Sequence, residues 1–196
     1  MNENTCERCG SKFLPYEKII HLQNDPVEII CSECFNAEAA MLINVDLEEL
    51  DSKMIEVSGR GKKKHLFYIC RTVLPMGILL EAEEIQGEEQ KGYKISVHGD
   101  IDCNQKELYE KLLKKIKKTL SKKYIRYEKT GYTRGNFIKD GEVVGRIEWD
   151  EEYEGRVPLL VIDGKEYTWE EFGEMLMTFE GYNFKLKIFE GWEDEE

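Results

Sequence analysis

The chain is predicted to be an α+β protein, in which a small four-cysteine unit precedes a domain with a mainly antiparallel sheet and two helices. Three observations predict this architecture. Two C-x-x-C pairs lie near the N-terminus, several later segments alternate apolar and polar residues, and two segments combine an N-cap signal with an apolar stripe at helical spacing. A length of 196 residues, of which 41% are hydrophobic, can supply the core that this fold needs.

The cysteine pairs predict one four-thiolate metal site. Cys6 and Cys9 form C-E-R-C, and Cys31 and Cys34 form C-S-E-C after a gap long enough for a hairpin. Four sulfur ligands favour tetrahedral Zn²⁺ and leave no position for water, which is typical of a structural site. Two alternatives stay open: an iron site, although Gly10 follows only the first pair, and a redox-active pair.

The elements around these cysteines predict a treble clef. Residues 12–22 form a strand that turns at Asn24, Asp25 and Pro26, residues 27–30 run back, and a helix begins on the second cysteine pair. The helix N-terminus favours negative charge on the thiolates. Arg8 and Lys12 are expected to offset part of the charge of the metal–thiolate cluster.

Residues 5–45 resemble the zinc-binding domain at the front of the ClpX protein unfoldase. The shared features are the C-x-x-C, a hairpin, an aliphatic strand running directly into the second C-x-x-C, and a helix. In that family the module dimerises and receives adaptors and substrates, so the resemblance implies a protein-contact role. No G-x-x-x-x-G-K-[ST] loop follows, and ATP-driven unfolding is therefore not implied.

The domain boundaries follow from composition. Residues 1–45 form the treble-clef unit, residues 46–64 the helix end and a charged, Gly-containing linker, and residues 65–196 the α+β domain. Because a linker would separate two cores, loss of one cysteine ligand is expected to unfold the first unit and leave the second domain largely intact.

The second domain alternates strands and helices. Strands are predicted within 65–73, 78–83, 93–97, 123–129, 136–149 and 157–167, with a hairpin at Asp140–Gly141 and a last strand over 184–188. Asn104 with Glu107, and Thr168 with Glu171, are capping-box pairs that start the two helices. Residues 162–189 resemble the closing stretch of uncharacterised bacterial zinc-finger-like proteins, a resemblance that implies a fold unit without an activity.

Net charge and cysteine content limit the cellular compartment and the binding partners that we expect. The net charge is −12, and the thiol-rich chain has no signal peptide and no long apolar span, so we expect a cytoplasmic protein without membrane contact. Basic residues are nevertheless concentrated in two stretches. The candidates for nucleic-acid contact there are Arg60, Lys62, Lys63 and Lys64, together with Lys114, Lys117 and Lys118 of the second stretch.

No motif for catalysis or for a small-molecule cofactor is recognisable in the sequence. We therefore expect a non-enzymatic interaction or adaptor protein whose zinc finger contacts a protein partner or a second copy of the chain. The alternatives are a nucleic-acid-binding protein that uses the basic linker and the lysine-rich helix 104–122, and an acidic inhibitor or decoy that uses the acidic C-terminal tail together with Asp150, Glu151, Glu152 and Glu154.

Overall fold

The computed structural model describes residues 5–13, 17, 19–22, 27–86, 91–130 and 133–193. Within them the chain forms an α+β fold with antiparallel sheets and three helices, as the sequence predicts. No helix among these residues is both long and apolar enough to cross a membrane.

The four-cysteine unit consists of a hairpin and a helix. Strands β1 (Ile19–Leu22) and β2 (Glu28–Cys31) pair antiparallel, and helix α1 (Ser32–Ile43) begins directly after β2. Ile30 is fully buried, and Phe13, Ile20 and Phe35 pack around it. The turn predicted at Asn24, Asp25 and Pro26 lies outside the described residues.

The central sheet has four antiparallel strands in the order β3-β4-β5-β6. They are β3 (Met54–Ser58), β4 (Lys64–Leu74), β5 (Gly77–Glu84) and β6 (Lys94–Gly99), and helix α2 (Gln105–Ser121) packs on β5 and β6. The apolar stripe predicted for this helix is buried against the sheet, at Leu108, Leu112, Ile116 and Leu120. Asn104 accepts hydrogen bonds from the backbone of Lys106 and Glu107, which confirms it as the N-cap.

The linker predicted over 46–64 is wrong for much of its length. Met54–Ser58 is strand β3, whose residues pair with those of β4 from Tyr68 back to Lys64. Val45, Leu47 and Leu50 pack against the central core. The charged residues that suggested a linker occupy exposed positions between these apolar ones, so the segment binds the sheet on one side and faces water on the other.

The remaining chain forms a second core, which we call the C-terminal lobe. It contains the hairpin β7 (Ile125–Thr130) and β8 (Thr133–Ile138), a three-stranded sheet, and helix α3 (Trp169–Met177). The sheet has β10 (Pro158–Ile162) between β9 (Gly145–Trp149) and β11 (Lys165–Tyr167). Both halves of the predicted Thr168–Glu171 capping box are present. The region treated as one domain therefore has two hydrophobic cores.

Two strand predictions in this lobe are wrong. Asp140 and Gly141 form a turn with positive φ angles of 57° and 70°, but the strands on either side pair with β7 and β10 and form no hairpin with each other. Residues 182–190 form no strand, and Phe184 is 89% exposed. A segment with alternating apolar and polar residues forms a strand only where the edge of a neighbouring strand can hydrogen-bond its backbone. Among the described residues, no strand pairs with residues 182–190.

A buried polar network joins the C-terminal lobe to the central sheet. His65 Nδ1 and Glu84 Oε1 lie 2.6 Å apart, and Glu84 also accepts hydrogen bonds from the Gln86 side chain and the Tyr93 backbone. Lys123 Nζ donates to Tyr93 Oη and to the carbonyl of Asp163, at 3.0 and 3.2 Å. The hydrogen bonds of this network that reach the C-terminal lobe are those from Lys123 to the Asp163 carbonyl and from the Gln86 side chain to the Gly164 carbonyl.

Candidate metal centre

The first cysteine pair lies in a tight turn that its own backbone closes. Cys6 N donates to the Ser11 carbonyl at 2.8 Å, and Gly10 N donates to the Cys6 carbonyl at 2.9 Å. Gly10 has φ 71°, a left-handed conformation that glycine adopts without steric cost. The chain can therefore reverse within a few residues, which directs Cys6 and Cys9 toward one point.

The second pair is placed by the junction of β2 and α1. Cys31 ends the strand and is the N-cap of the helix, where its Sγ accepts a hydrogen bond from Cys34 N at 3.4 Å. Cys31 N in turn donates to Cys6 Sγ at 3.3 Å, which ties the two pairs together. Cys34 lies in the first helical turn, so the positive end of the helix dipole faces the sulfurs.

The four Sγ atoms all lie within 4.8 Å of one another. Cys6 Sγ is 3.7 Å from Cys34 Sγ, and Cys9 Sγ is 3.8 Å from Cys31 Sγ. A regular tetrahedron with metal–sulfur bonds of about 2.3 Å has edges of about 3.8 Å, so these separations fit one tetrahedral ion. No other group of three or more possible ligands is found in the described part of the chain, and Cys70 and Cys103 are not part of the cluster.

The thiol electrostatics favour a cation. Burial opposes ionisation of Cys6, but the backbone N–H groups of Cys9, Cys31 and Arg8 outweigh it and lower the pKa of Cys6 to about 6. Burial raises the pKa of Cys34, and the neighbouring sulfurs of Cys31, Cys9 and Cys6 raise it further. A positive ion among the sulfurs would favour the thiolate form of all four.

Arg8 does not act as the counter-charge that the sequence suggested. Its guanidinium makes a bidentate pair with Glu28 at 2.7 and 2.9 Å and also pairs with Glu38 of α1. These carboxylates raise the pKa of Arg8 and neutralise its charge. Arg8 therefore joins the first cysteine turn to β2 and α1 through its two carboxylate partners.

Helix α1 docks on the central sheet through a residue that the sequence analysis did not single out. Asn36 is 2% exposed, and its side-chain amide bonds the backbone of β4 at Arg71 and Val73. Lys53 Nζ pairs with Glu33 Oε1 at 2.6 Å beside this contact. An asparagine in a helix gives no sequence signal of such a role, because only the folded chain places it at a strand edge.

The residues predicted for nucleic-acid contact lie on two surface elements. Arg60 and Lys62 are in a 3₁₀ turn, Arg60–Lys62, and Lys63 and Lys64 follow it, while Lys114, Lys117 and Lys118 are exposed on α2. Lys64 pairs with Glu56 at 2.8 Å and is the least available of these residues. Of the two tyrosines that follow α2, Tyr124 is buried in the C-terminal core, whereas Tyr127 is 58% exposed.

The acidic decoy surface is also smaller than the sequence implied. Asp150 is buried and accepts a hydrogen bond from the backbone of Glu152, so its carboxylate stabilises the turn that follows β9. Glu151, Glu152 and Glu154 are exposed.

Comparison with known families divides the chain into three consecutive matches. Each is to a domain of unknown function: DUF7685 over residues 5–46, DUF7686 over residues 48–121 and DUF7713 over residues 124–193. No ClpX-type domain is among them, so the ClpX-like role remains a prediction. No curated protein matches the chain. No solved structure matches it either.

Proposed function

We propose that this protein is a non-enzymatic interaction protein whose N-terminal unit is a treble clef held together by one structural Zn²⁺. Cys6, Cys9, Cys31 and Cys34 would bind the ion. Four sulfur donors at tetrahedral spacing are the ligand set that zinc prefers, and a filled coordination sphere leaves no position at which substrate or water could be activated. The zinc would fix the orientation of α1, which carries the contact surface.

The observation that carries the proposal is an apolar stretch on the exposed side of α1. Met41 and Leu42 are 82% and 81% exposed, although large apolar side chains in a helix are normally buried. Beside Met41 is a groove of about 450 Å³ lined by residues of the helix and the segment after it: Ala37, Ala40, Met41, Asn44, Val45, Asp46 and Leu47. We call this surface the α1 face.

The α1 face fits a second copy of the same chain. Because a protruding apolar side chain and a groove adjoin on one surface, a twofold axis would let Met41 of each copy enter the groove of the other. Two acidic residues of α1 are already paired, Glu38 with Arg8 and Glu33 with Lys53, so Asp46 is the acidic residue that the second copy would meet in the groove. The small, exposed side chain of Ala37, one turn before Met41, would allow the two helices to approach closely.

Sedimentation velocity of the zinc-loaded protein over a wide concentration range tests the proposal. We expect a dimer that dissociates in Met41→Lys/Leu42→Lys, because charged side chains cannot be buried in an apolar contact. Met76→Lys, a change at another exposed methionine in the β4–β5 turn, should leave the dimer intact. A wild-type protein that stays monomeric at high micromolar concentration, or a dimer that survives the double substitution, would contradict the proposed contact.

A further inference from the structure

Two basic stretches that are far apart in the sequence meet in the folded chain. The 3₁₀ turn that carries Arg60 and Lys62 follows Gly59, which lies against the end of helix α2. A side chain at Gly59 would begin 3.6 Å from Leu120 Cβ and 2.8 Å from His65 Nε2. The absence of a side chain at Gly59 therefore lets the basic turn lie directly beside the last turn of α2.

The pKa of Lys123, which follows α2, also indicates that the 3₁₀ turn lies close to the end of this helix. Burial lowers the pKa of Lys123, Asp163 raises it, and the positive charges of Lys63 and Lys165 lower it further. Lys63 follows the 3₁₀ turn and Lys123 follows α2, so the two stretches are close enough to repel each other. The positive charge of Lys63 is therefore felt at the end of α2, and an anion bound between the two stretches would interact favourably with both.

Several of these cations have no acidic partner among the residues that the structure describes. Lys64 pairs with Glu56, Lys114 lies 3.7 Å from Glu110, and Lys123 donates to Tyr93 and Asp163. The exposed side chains that remain without a salt bridge in the described chain define what we call the basic patch: Arg60, Lys62, Lys63, Lys117 and Lys118.

We infer that the basic patch binds the phosphate backbone of a single-stranded nucleic acid. Phosphates repeat along a strand at short intervals, so exposed cations on the 3₁₀ turn and on the adjoining end of α2 can contact more than one of them. The net charge of −12 argues against a duplex, because a second backbone would approach the acidic remainder of the surface. Tyr127, 58% exposed on the strand that follows α2, offers a ring on which a base can stack.

The salt dependence of binding tests this inference on the full-length, zinc-loaded chain. Fluorescence anisotropy would be measured with labelled, unstructured RNA and DNA strands and with a DNA duplex as the probes. Five phosphate contacts on a single strand give a slope of log K against log salt of about −3.5, equivalent to a loss of about 100-fold in affinity over a fourfold rise in salt. RNA and DNA strands that bind equally would indicate backbone recognition, and stronger RNA binding would indicate an additional contact to the 2′-hydroxyl.

Charge-neutral variants make the test specific for the patch. Lys117→Gln/Lys118→Gln should weaken binding and reduce the slope by about 1.4, since each lost contact on a single strand is worth about 0.7. Lys185→Gln/Lys187→Gln removes the same charge from the exposed C-terminal segment and should leave the slope unchanged. Three results would overturn the inference: no binding at low salt, equal losses in the two variants, or a duplex that binds more tightly than the single strands.

Discussion

Asn36 of α1 holds the edge of strand β4 at Val73. Its Oδ1 accepts a hydrogen bond from Val73 N at 2.8 Å, while its Nδ2 donates to the Arg71 carbonyl at 2.7 Å. Strand β3 pairs with β4 only from Lys64 to Tyr68, and Asn36 supplies hydrogen bonds further along the same strand. The amide thus replaces part of a neighbouring strand, and it couples the four-cysteine unit to the central sheet.

Replacing Asn36 with alanine should destabilise the whole chain, because two buried backbone groups would lose their partner. An unsatisfied buried donor or acceptor costs about 1–3 kcal/mol, so we expect the free energy of unfolding in urea to fall by at least about 2 kcal/mol. Asn183→Ala, at an exposed asparagine in the C-terminal segment, should change it little. Equal unfolding midpoints for the two variants would show that the Asn36 contact contributes nothing.

Removing the metal should expose the same strand edge. We expect that after treatment with a chelator the amide of Val73 exchanges with deuterium faster, since α1 is no longer held against β4. The amide of Thr72 is the internal control, because alternate residues of a strand point in opposite directions and its N–H faces β5. Unchanged protection of Val73 in the metal-free chain would mean that α1 docks without the metal.

Breaking the buried pair between His65 of β4 and Glu84 of β5 should destabilise the central sheet. The buried Glu84 carboxylate contacts the His65 ring, the Gln86 side chain and the Tyr93 amide. Glu84→Ala would therefore leave the His65 ring and the Tyr93 amide without this hydrogen-bond partner. An unsatisfied buried hydrogen-bonding group costs about 1–3 kcal/mol. A thermal melt should show a large loss for Glu84→Ala and little for Glu83→Ala at the adjacent exposed position. Similar melting temperatures would contradict the role given to this network.

Loss of the cap on α3 should have a smaller and local effect. Thr168 accepts a hydrogen bond from Glu171 N at 3.1 Å, and Glu171 accepts one from Thr168 N at 2.9 Å. Thr168→Ala should therefore reduce the free energy of unfolding by about 1 kcal/mol, whereas Thr168→Ser should retain most of it. If alanine and serine are equally destabilising, the hydroxyl is not the stabilising group.

The features that local patterns encode were predictable from the sequence. The two C-x-x-C pairs identify Cys6, Cys9, Cys31 and Cys34, and the caps at Asn104 and Thr168 mark where α2 and α3 begin. Each depends on residues a few positions apart, and the strand alternation of the central sheet is equally local.

The features that depend on distant partners were not predictable. Met54–Ser58 lies between two charged stretches and resembled a linker, and only its pairing with β4 shows that it is a strand. Residues 184–188 alternate like a strand but pair with no strand in the part of the chain that the structure describes. The roles of Asn36 and of the His65–Glu84 pair arise from contacts across many residues of sequence. No local sequence pattern therefore predicts these two contacts.

The domain division also has to be reconsidered in terms of stability. A flexible linker over 46–64 would let the second domain survive loss of the metal, but β3 and the Asn36 contact make that segment part of the sheet. We now expect the central sheet to lose stability together with the four-cysteine unit.

The central claim is that one Zn²⁺ is held by Cys6, Cys9, Cys31 and Cys34, and native mass spectrometry of the intact chain and its single cysteine variants tests it most directly. We predict one zinc per wild-type chain, no zinc in Cys31→Ser, and one zinc in both Cys70→Ala and Cys103→Ser, whose sulfurs lie outside the cluster. Zinc retained by Cys31→Ser, or lost from Cys70→Ala or Cys103→Ser, would contradict the assignment.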